Sequence, residues 1–279
     1  MSLNLYALVP KHRKPKRWRV IEGSLSPFHR SAFNKAEMLF PFWDSSPSSQ
    51  RDIAHSVRSP TRTWINDSGS LAGNIGCVDG IAEDYIGSSS ADKSSVDTGS
   101  TDASRSIMCV ITVLALPSSG NGFIVGMGPD SGAWLHVIGI SSNGAVDLHE
   151  VTGGETHLTS SNGLVEVGGR YAIVAVSDNS SGMRLHMNGQ QIASNGTTGF
   201  LTLFGLALHA NNAPPSHPNR ASFKLAMAGC WKVALSVQEA NAISGDPYGL
   251  IRPSAFVPLA DLGLDASSAV ASSRSMWFA

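Results

Sequence analysis

The chain has 279 residues, 42% of them hydrophobic and only 15% charged, with 28 glycines and a net charge of −1. That length can bury a full core, and so little charge with so many Gly, Ser, Thr and Asn residues argues against helical bundles and for short strands joined by turns. The longest strongly apolar run, Ile107 to Leu116, falls far short of the ~20 residues of a membrane helix, and no membrane association is expected.

The small net charge conceals an asymmetry. Residues 1–35 carry eight Lys/Arg against the single acid Glu22, a balance of +7, so the rest of the chain must carry −8. A basic end on an acidic body is a common layout for docking by that end. The apolar stretch Leu3 to Val9 has positive charge after it rather than before it and no small-residue cleavage site, so no signal peptide is expected there.

In chain order, residues 1–36 read as a basic arm. Pro10, Pro15 and Pro27 are expected to prevent a long helix, and Lys11, Arg13, Lys14, Lys16, Arg17 and Arg19 cluster around Trp18 as a candidate partner-binding segment. An acidic protein surface is favoured over nucleic acid as its partner. Glu37 to Trp43 is the first expected core strand, followed by a polar stretch with one short strand at Thr63 to Ile65. Gly76 to Ile86 reads as strand, turn, strand, and the Ser-, Asp- and Thr-rich residues 87–106 as an exposed loop.

From Ile107 the strand signal is dense: Ile107 to Leu116, Phe123 to Met127, Ala133 to Ile140, and Val146 to Val151 with carboxylates expected to point outward. Tyr171 to Val176 is apolar on both alternating faces, which predicts a strand covered on each side. Met183 to Met187 puts its apolar residues on one face and Arg184 and His186 on the other, and Asn188-Gly189 predicts a type I′ turn. Phe200 to His209 and Ser222 to Val233 complete the expected strands, at spacings that predict a sandwich. One short helix is predicted over Val237 to Ile243, with Ser236 and Glu239 as a capping box and Gly245 and Pro247 ending it. Cys77, Cys109 and Cys230 are an odd number without CxxC spacing and read as buried free thiols, consistent with assembly in a reducing cytoplasm.

Several of these segments resemble, in order, the laminin-G-like, concanavalin A-like jelly roll, and more closely its version in bacteriophage and prophage genomes. Val78-Asp79-Gly80 with Asp84-Tyr85-Ile86, the strand Ser106 to Val113, Gly169 to Ala175 and Leu185-His186-Met187-Asn188-Gly189 are similar to that family's strands. Ala234-Leu235-Ser236-Val237-Gln238-Glu239-Ala240, followed by Asp246-Pro247-Tyr248-Gly249-Leu250-Ile251-Arg252-Pro253, resembles its closing motif. The resemblance covers residues 18–253 and implies an all-β jelly-roll β-sandwich with one short C-terminal helix and extended terminal arms. It divides the chain into an arm (1–36), a laminin-G-like domain (37–253) and a tail (254–279).

The sequence offers little for catalysis. The E-x-D-x-x-E strand of jelly-roll glycosidases is missing, Asp147 and Glu150 lie three apart and face opposite ways, and there is no P-loop or G-x-S-x-G. The nine histidines show no metal-ligand spacing, and Asp130, Asp178 and Asn179 are as well explained by turns as by calcium. Neither metal, cofactor nor enzymatic activity is expected. The resemblance implies a virion structural protein, assembled in the host bacterial cytoplasm, homo-oligomeric, with other capsid or tail subunits as partners and a capsid-surface role favoured. The alternative is a tail or surface adhesin that stacks a host glycan on Trp64 or Trp134.

Overall fold

The computed structural model describes residues 26–41, 54, 64–66, 76–78, 81–83, 92–94, 97–100, 103–129, 136–151, 154–201, 204–210 and 222–250. Its strands are β1 (Ala36–Pro41), β2 (Trp64–Asn66), β3 (Gly76–Val78), β4 (Ile81–Glu83), β5 (Asp92–Ser94), β6 (Asp97–Ser100), β7 (Arg105–Ala115) and β8 (Asn121–Pro129). They continue with β9 (His136–Ser141), β10 (Val146–Val151), β11 (Glu155–Thr159), β12 (Arg170–Asp178), β13 (Gly182–Met187), β14 (Gln190–Ser194), β15 (Phe204–Ala210) and β16 (Ser222–Trp231). Helices α1 (Pro27–Lys35) and α2 (Val237–Gly245) and a 3-10 turn at Pro247–Leu250 complete the described elements.

Two antiparallel sheets form the all-β sandwich expected from the turn spacing. One has the order β1-β16-β7-β12-β13-β14; the other runs β11-β10-β9-β8-β15-β5-β2, with β6 also on β15. Between them, Ile107, Cys109, Ile111 and Val113 of β7 face Ile138, Ile140, Val146 and Leu148 of the opposite sheet. Each such side chain contributes about 1.5–3 kcal/mol on burial.

The six-stranded sheet is covered on both faces. Its other side, with Met108, Val110, Val174, Val176, Met227 and Trp231, packs against Ala32 and Phe33 of α1 and Leu235, Ala240 and Ile243 around α2. This double burial is why Tyr171 to Val176 reads as apolar on both faces. The cover also reaches β13, where Arg184 donates to Leu235 O at 3.1 Å and His186 Nδ1 lies 2.7 Å from Asn241 Oδ1.

The turn chemistry holds as expected. Asn188 (φ 49°) and Gly189 (φ 87°) take the two left-handed positions of the I′ turn. Asn188 Oδ1 accepts from Ala172 N (3.0 Å) and Ser244 Oγ accepts from Gly189 N (3.1 Å), which ties the hairpin tip to α2. The capping box of α2 forms in both directions between Ser236 and Glu239.

Three expectations are corrected and one strand is added. Residues 27–35 are not part of an arm: Ser26 caps a helix, Pro27 sits in its first turn, and His29, Ala32 and Phe33 present a buried stripe at i, i+3 and i+4. The described fold therefore has a second helix, and residues 27–35 belong to the packed body. The expected loop 87–106 contains β5, β6 and the start of β7, because main-chain pairing, to β15 and β2 for β5 and β6 and to β12 and β16 for β7, does not require apolar side chains. Strand β11, too polar to show alternation, forms by pairing with β10. The carboxylates of β10 do not point to solvent, since Asp147 and Glu150 are both fully buried. Cys109 and Cys230 are buried free thiols as expected, and burial pushes the Cys109 thiol up, so it stays protonated and inert. The side chain of Cys77 and the tail 254–279 lie outside the described residues.

Gly182 joins β12 to β13 at φ +93°, where an added Cβ would lie 2.0 Å from Asn195 O, whereas a Cβ at Gly196 meets nothing within 4 Å. Gly182→Ala should lower stability by about 1–3 kcal/mol in urea unfolding. Gly196→Ala should stay within about 0.5 kcal/mol of the parent.

Candidate functional site

Three places in the body gather polar side chains. The first is the corner formed by α1, α2 and the 3-10 turn. Trp231 Nε1 donates to Ala32 O at 2.7 Å, pinning α1 to the sheet. His29 bridges the two ends of the described chain: Nε2 lies 2.9 Å from Asp246 O, and Nδ1 2.5 Å from Ser26 Oγ. Donation from Nε2 to the carbonyl leaves Nδ1 to accept from the serine hydroxyl. Glu239 Oε1 accepts from Lys35 Nζ and Ser31 Oγ, both at 2.5 Å, while Oε2 caps Ser236 N at 2.8 Å. Burial pushes this carboxyl up, but the lysine, hydroxyl and amide donors outweigh it and hold it below the usual range.

The second is a fully buried ion cluster between the sheets. Arg105, His136, Glu150 and Ser177 have the same parity on their strands as the core residues of β7, β9, β10 and β12, so all four point into the sandwich. Arg105 forks onto both oxygens of Glu150 through Nη2 and Nε, and its Nη1 donates to Leu201 O at 2.5 Å. Glu150 Oε2 also receives Ser177 Oγ at 2.6 Å and His136 Nδ1 at 2.5 Å. Serine, histidine and carboxylate here resemble a nucleophile relay in composition only. Ser177 Oγ also lies 3.2 Å from that same Nδ1 atom, whereas a relay needs its acid and its hydroxyl on opposite ring nitrogens.

The third lies on the outward face of the eight-stranded sheet. His149 and His157 are directly opposite in the β10–β11 pairing, with their rings stacked at 4.6 Å and 11°. Phe123 extends the row, its ring 6.0 Å from His149. It reaches there over Gly139, where a Cβ would lie 3.6 Å from the Phe123 ring. Asp147 beneath them accepts from Thr159 Oγ1 (2.6 Å) and His157 Nδ1 (2.9 Å). Burial, and then the neighbouring His157, lower the His149 pKa and keep that ring neutral.

Most of the residues singled out from sequence are not among the described ones. Lys11, Arg13, Lys14, Lys16, Arg17, Trp18 and Arg19 lie outside the described residues, as do Tyr85, Asp130 and Trp134; Trp64 is described only as backbone in β2. Asp178 and Asn179 serve their turn. Asp178 accepts from Ser180 N, Ser180 Oγ and Ser181 Oγ, and despite burial these bonds and Arg184 lower its carboxyl to about 2. Asn179 Oδ1 accepts from Gly199 N and Phe200 N. Asp178 thus holds its own turn, as its residue type suggests, while Asn179 ties that turn to the segment 199–200.

Sequence reasoning missed Arg105 and Ser177 altogether, took Glu150 for an outward carboxylate, and read His136, His149 and His157 only as histidines scattered over strands. For Glu150 the signal was available: it shares parity with Val146 and Leu148. For the histidines it was not, because their juxtaposition depends on β11.

No protein-family model matches the chain, and no curated protein matches it. Among solved structures it is similar to the Trypanosoma rangeli sialidase in complex with 2,3-difluorosialic acid, at 11% identity and a TM-score of 0.54 over 77% of this chain and 33% of that one. It is also similar to the botulinum neurotoxin serotype D ligand-binding domain in complex with N-acetylneuraminic acid, at 11% identity and a TM-score of 0.56 over 78% of this chain and 52% of that one. The chain thus spans about a third to a half of the length of these structures. Likeness at this identity establishes the β-sandwich alone.

Glu150 generates an acid-sensitivity prediction. Burial pushes its carboxyl up, but His136 and Arg105 outweigh that and hold it below its ordinary value of 4.5. With the folded pKa depressed, the stabilisation is complete above pH 4.5 and is lost as pH falls through the folded value. Urea unfolding across pH should show this loss in the parent and a flatter acid limb in Glu150→Gln. At neutral pH, Glu150→Gln should cost about 3–5 kcal/mol, since it leaves Arg105 buried without its counter-ion.

Proposed function

We propose that the chain is a bacteriophage virion structural protein, a non-catalytic β-sandwich displayed on the particle surface and held to neighbouring subunits by its terminal segments. The observation that carries this reading is the corner around His29. Ser26 and Leu250, where residues 1–25 and 251–279 join the described body, both belong to that corner. Both terminal segments therefore leave from one place, and one of them bears the basic cluster around Trp18. A basic segment and a tail rooted side by side on a body of opposite charge suit attachment by one pole, with the remaining surface facing outward. The closing motif at Ala234 to Pro253 supports a phage setting, and a capsid-surface position is favoured over a tail position.

The clean test removes residues 1–25 and keeps α1, since α1 covers Trp231 and its loss would damage the sheet. The truncated protein should keep the parent's circular dichroism and melting temperature yet be lost from purified particles. Normal incorporation would overturn the reading.

A second reading, glycan adhesion, is favoured by the N-acetylneuraminic acid complex of the similar toxin domain. It assigns the sugar platform to Trp64 or Trp134. Binding on a sialoside-rich glycan array that disappears in Trp134→Ala or Trp64→Ala would establish it, and silence across the array would remove it.

A further inference from the structure

The outward face of β10 and β11 concentrates ligand-type groups beyond what a sheet surface needs. His149 and His157 are cross-strand partners, and Glu155, two residues along β11, lies on the same face. One ligand atom from each of these three side chains lies within 4.8 Å of the others. Neither ring nitrogen of His149 has a hydrogen-bond partner, although both are buried. A satisfied core histidine would donate at least once.

His157 supplies the complementary observation. With Nδ1 donating to the Asp147 carboxylate at 2.9 Å, its Nε2 carries the lone pair. Asp147 is buried and held in turn by Thr159 Oγ1 at 2.6 Å. A carboxylate behind a histidine, fixing tautomer and ring direction while raising basicity, is the arrangement found behind metal-ligating imidazoles.

We propose that His149, His157 and Glu155 form a binding site for a divalent transition-metal ion of the zinc class, with Asp147 as the positioning residue behind His157. Two imidazoles and one carboxylate match Zn²⁺, whereas Ca²⁺ and Mg²⁺ require an all-oxygen set. Ligand atoms of a tetrahedral zinc lie roughly 3.4 Å apart at bond lengths near 2.1 Å. Closing from within 4.8 Å needs the two imidazoles to rotate out of their stack, on a fixed strand pair. Glu155 and His157 are exposed, which leaves the fourth position open to water or to a group from another molecule. The ion would add a clamp between the edge strand β11 and β10, its one neighbour in the sheet. This site stands independently of the particle reading.

The test uses the full, untagged chain and Zn²⁺ in competition with a chromophoric chelator, with Co²⁺ absorption as the coordination readout. One equivalent of Zn²⁺ should bind and raise the melting temperature. Co²⁺ should give the intense visible bands of a four-coordinate site. His149→Ala and His157→Ala should each abolish binding, and Asp147→Asn should weaken it about 10–100-fold. His157 and Glu155 are exposed, so the His157→Ala and Glu155→Gln proteins will fold and decide the matter even where the His149 variant does not. Failure to bind Zn²⁺, or binding undiminished in His157→Ala, would overturn the proposal.

Discussion

The Arg105–Glu150 pair is the constraint on which the relation between the two sheets depends. Arg105 opens β7 in the six-stranded sheet, and Glu150 sits near the end of β10 in the eight-stranded one. Moving both charges out of water costs several kcal/mol per ion, and their attraction repays this only with good geometry and further hydrogen bonds. Those bonds are present: Leu201 O takes one guanidinium donor, and Ser177 and His136 occupy the second carboxylate oxygen. The cluster adds little net stability over an apolar substitute of the same shape. Its effect is on register, because slipping either strand by one residue would turn a charge out of the cluster and set an apolar side chain against the remaining ion.

Around that fixed point the six-stranded sheet works as a central layer. Its inner face meets the other sheet and its outer face meets α1 and α2, so the middles of β7 and β12 lack a polar side. The helical cover is joined to the sheet by directional bonds as well as by apolar packing: Trp231 to Ala32, Arg184 to Leu235, and Gly189 to Ser244. The approach is close enough at Gly189 and Gly245 that a Cβ on either would lie 3.2–3.3 Å from the other's Cα. Glu239 takes part twice, capping its own helix and receiving Ser31 and Lys35 from α1. The terminal segments are thereby rooted in a part of the molecule that is itself fastened to the core.

The two carboxylates of β10 show how one strand serves two environments. Asp147 and Glu150 have opposite parity, so one faces outward and the other inward, yet both are fully buried. Inside, Glu150 is matched by a guanidinium. Outside, Asp147 is covered by His157 and Thr159 of the edge strand, and the stacked His149 and His157 rings extend that cover towards Phe123. The outward face is thus a built surface of rings and ligand atoms, although no apolar alternation in the sequence announces it.

The sequence by itself determined the elements whose identity depends on near neighbours in the chain. Asn188-Gly189 demanded a turn with two left-handed residues, Ser236 and Glu239 demanded a helix start, and the doubly apolar run at Tyr171 to Val176 demanded cover on both sides. In each case the physical cause lies within a few residues of its effect. Only the tertiary structure decided what rests on residues distant in sequence. The stripe of α1 has meaning once Trp231 and α2 are there to receive it, and the polar strands β5, β6 and β11 exist because neighbouring backbones offer them hydrogen bonds. Arg105 meets Glu150, and His149 meets His157, through pairings of sheets and strands. A charge or a ring carries no local mark of the partner that folding will place beside it, whereas a turn or a cap is written in the residues that form it.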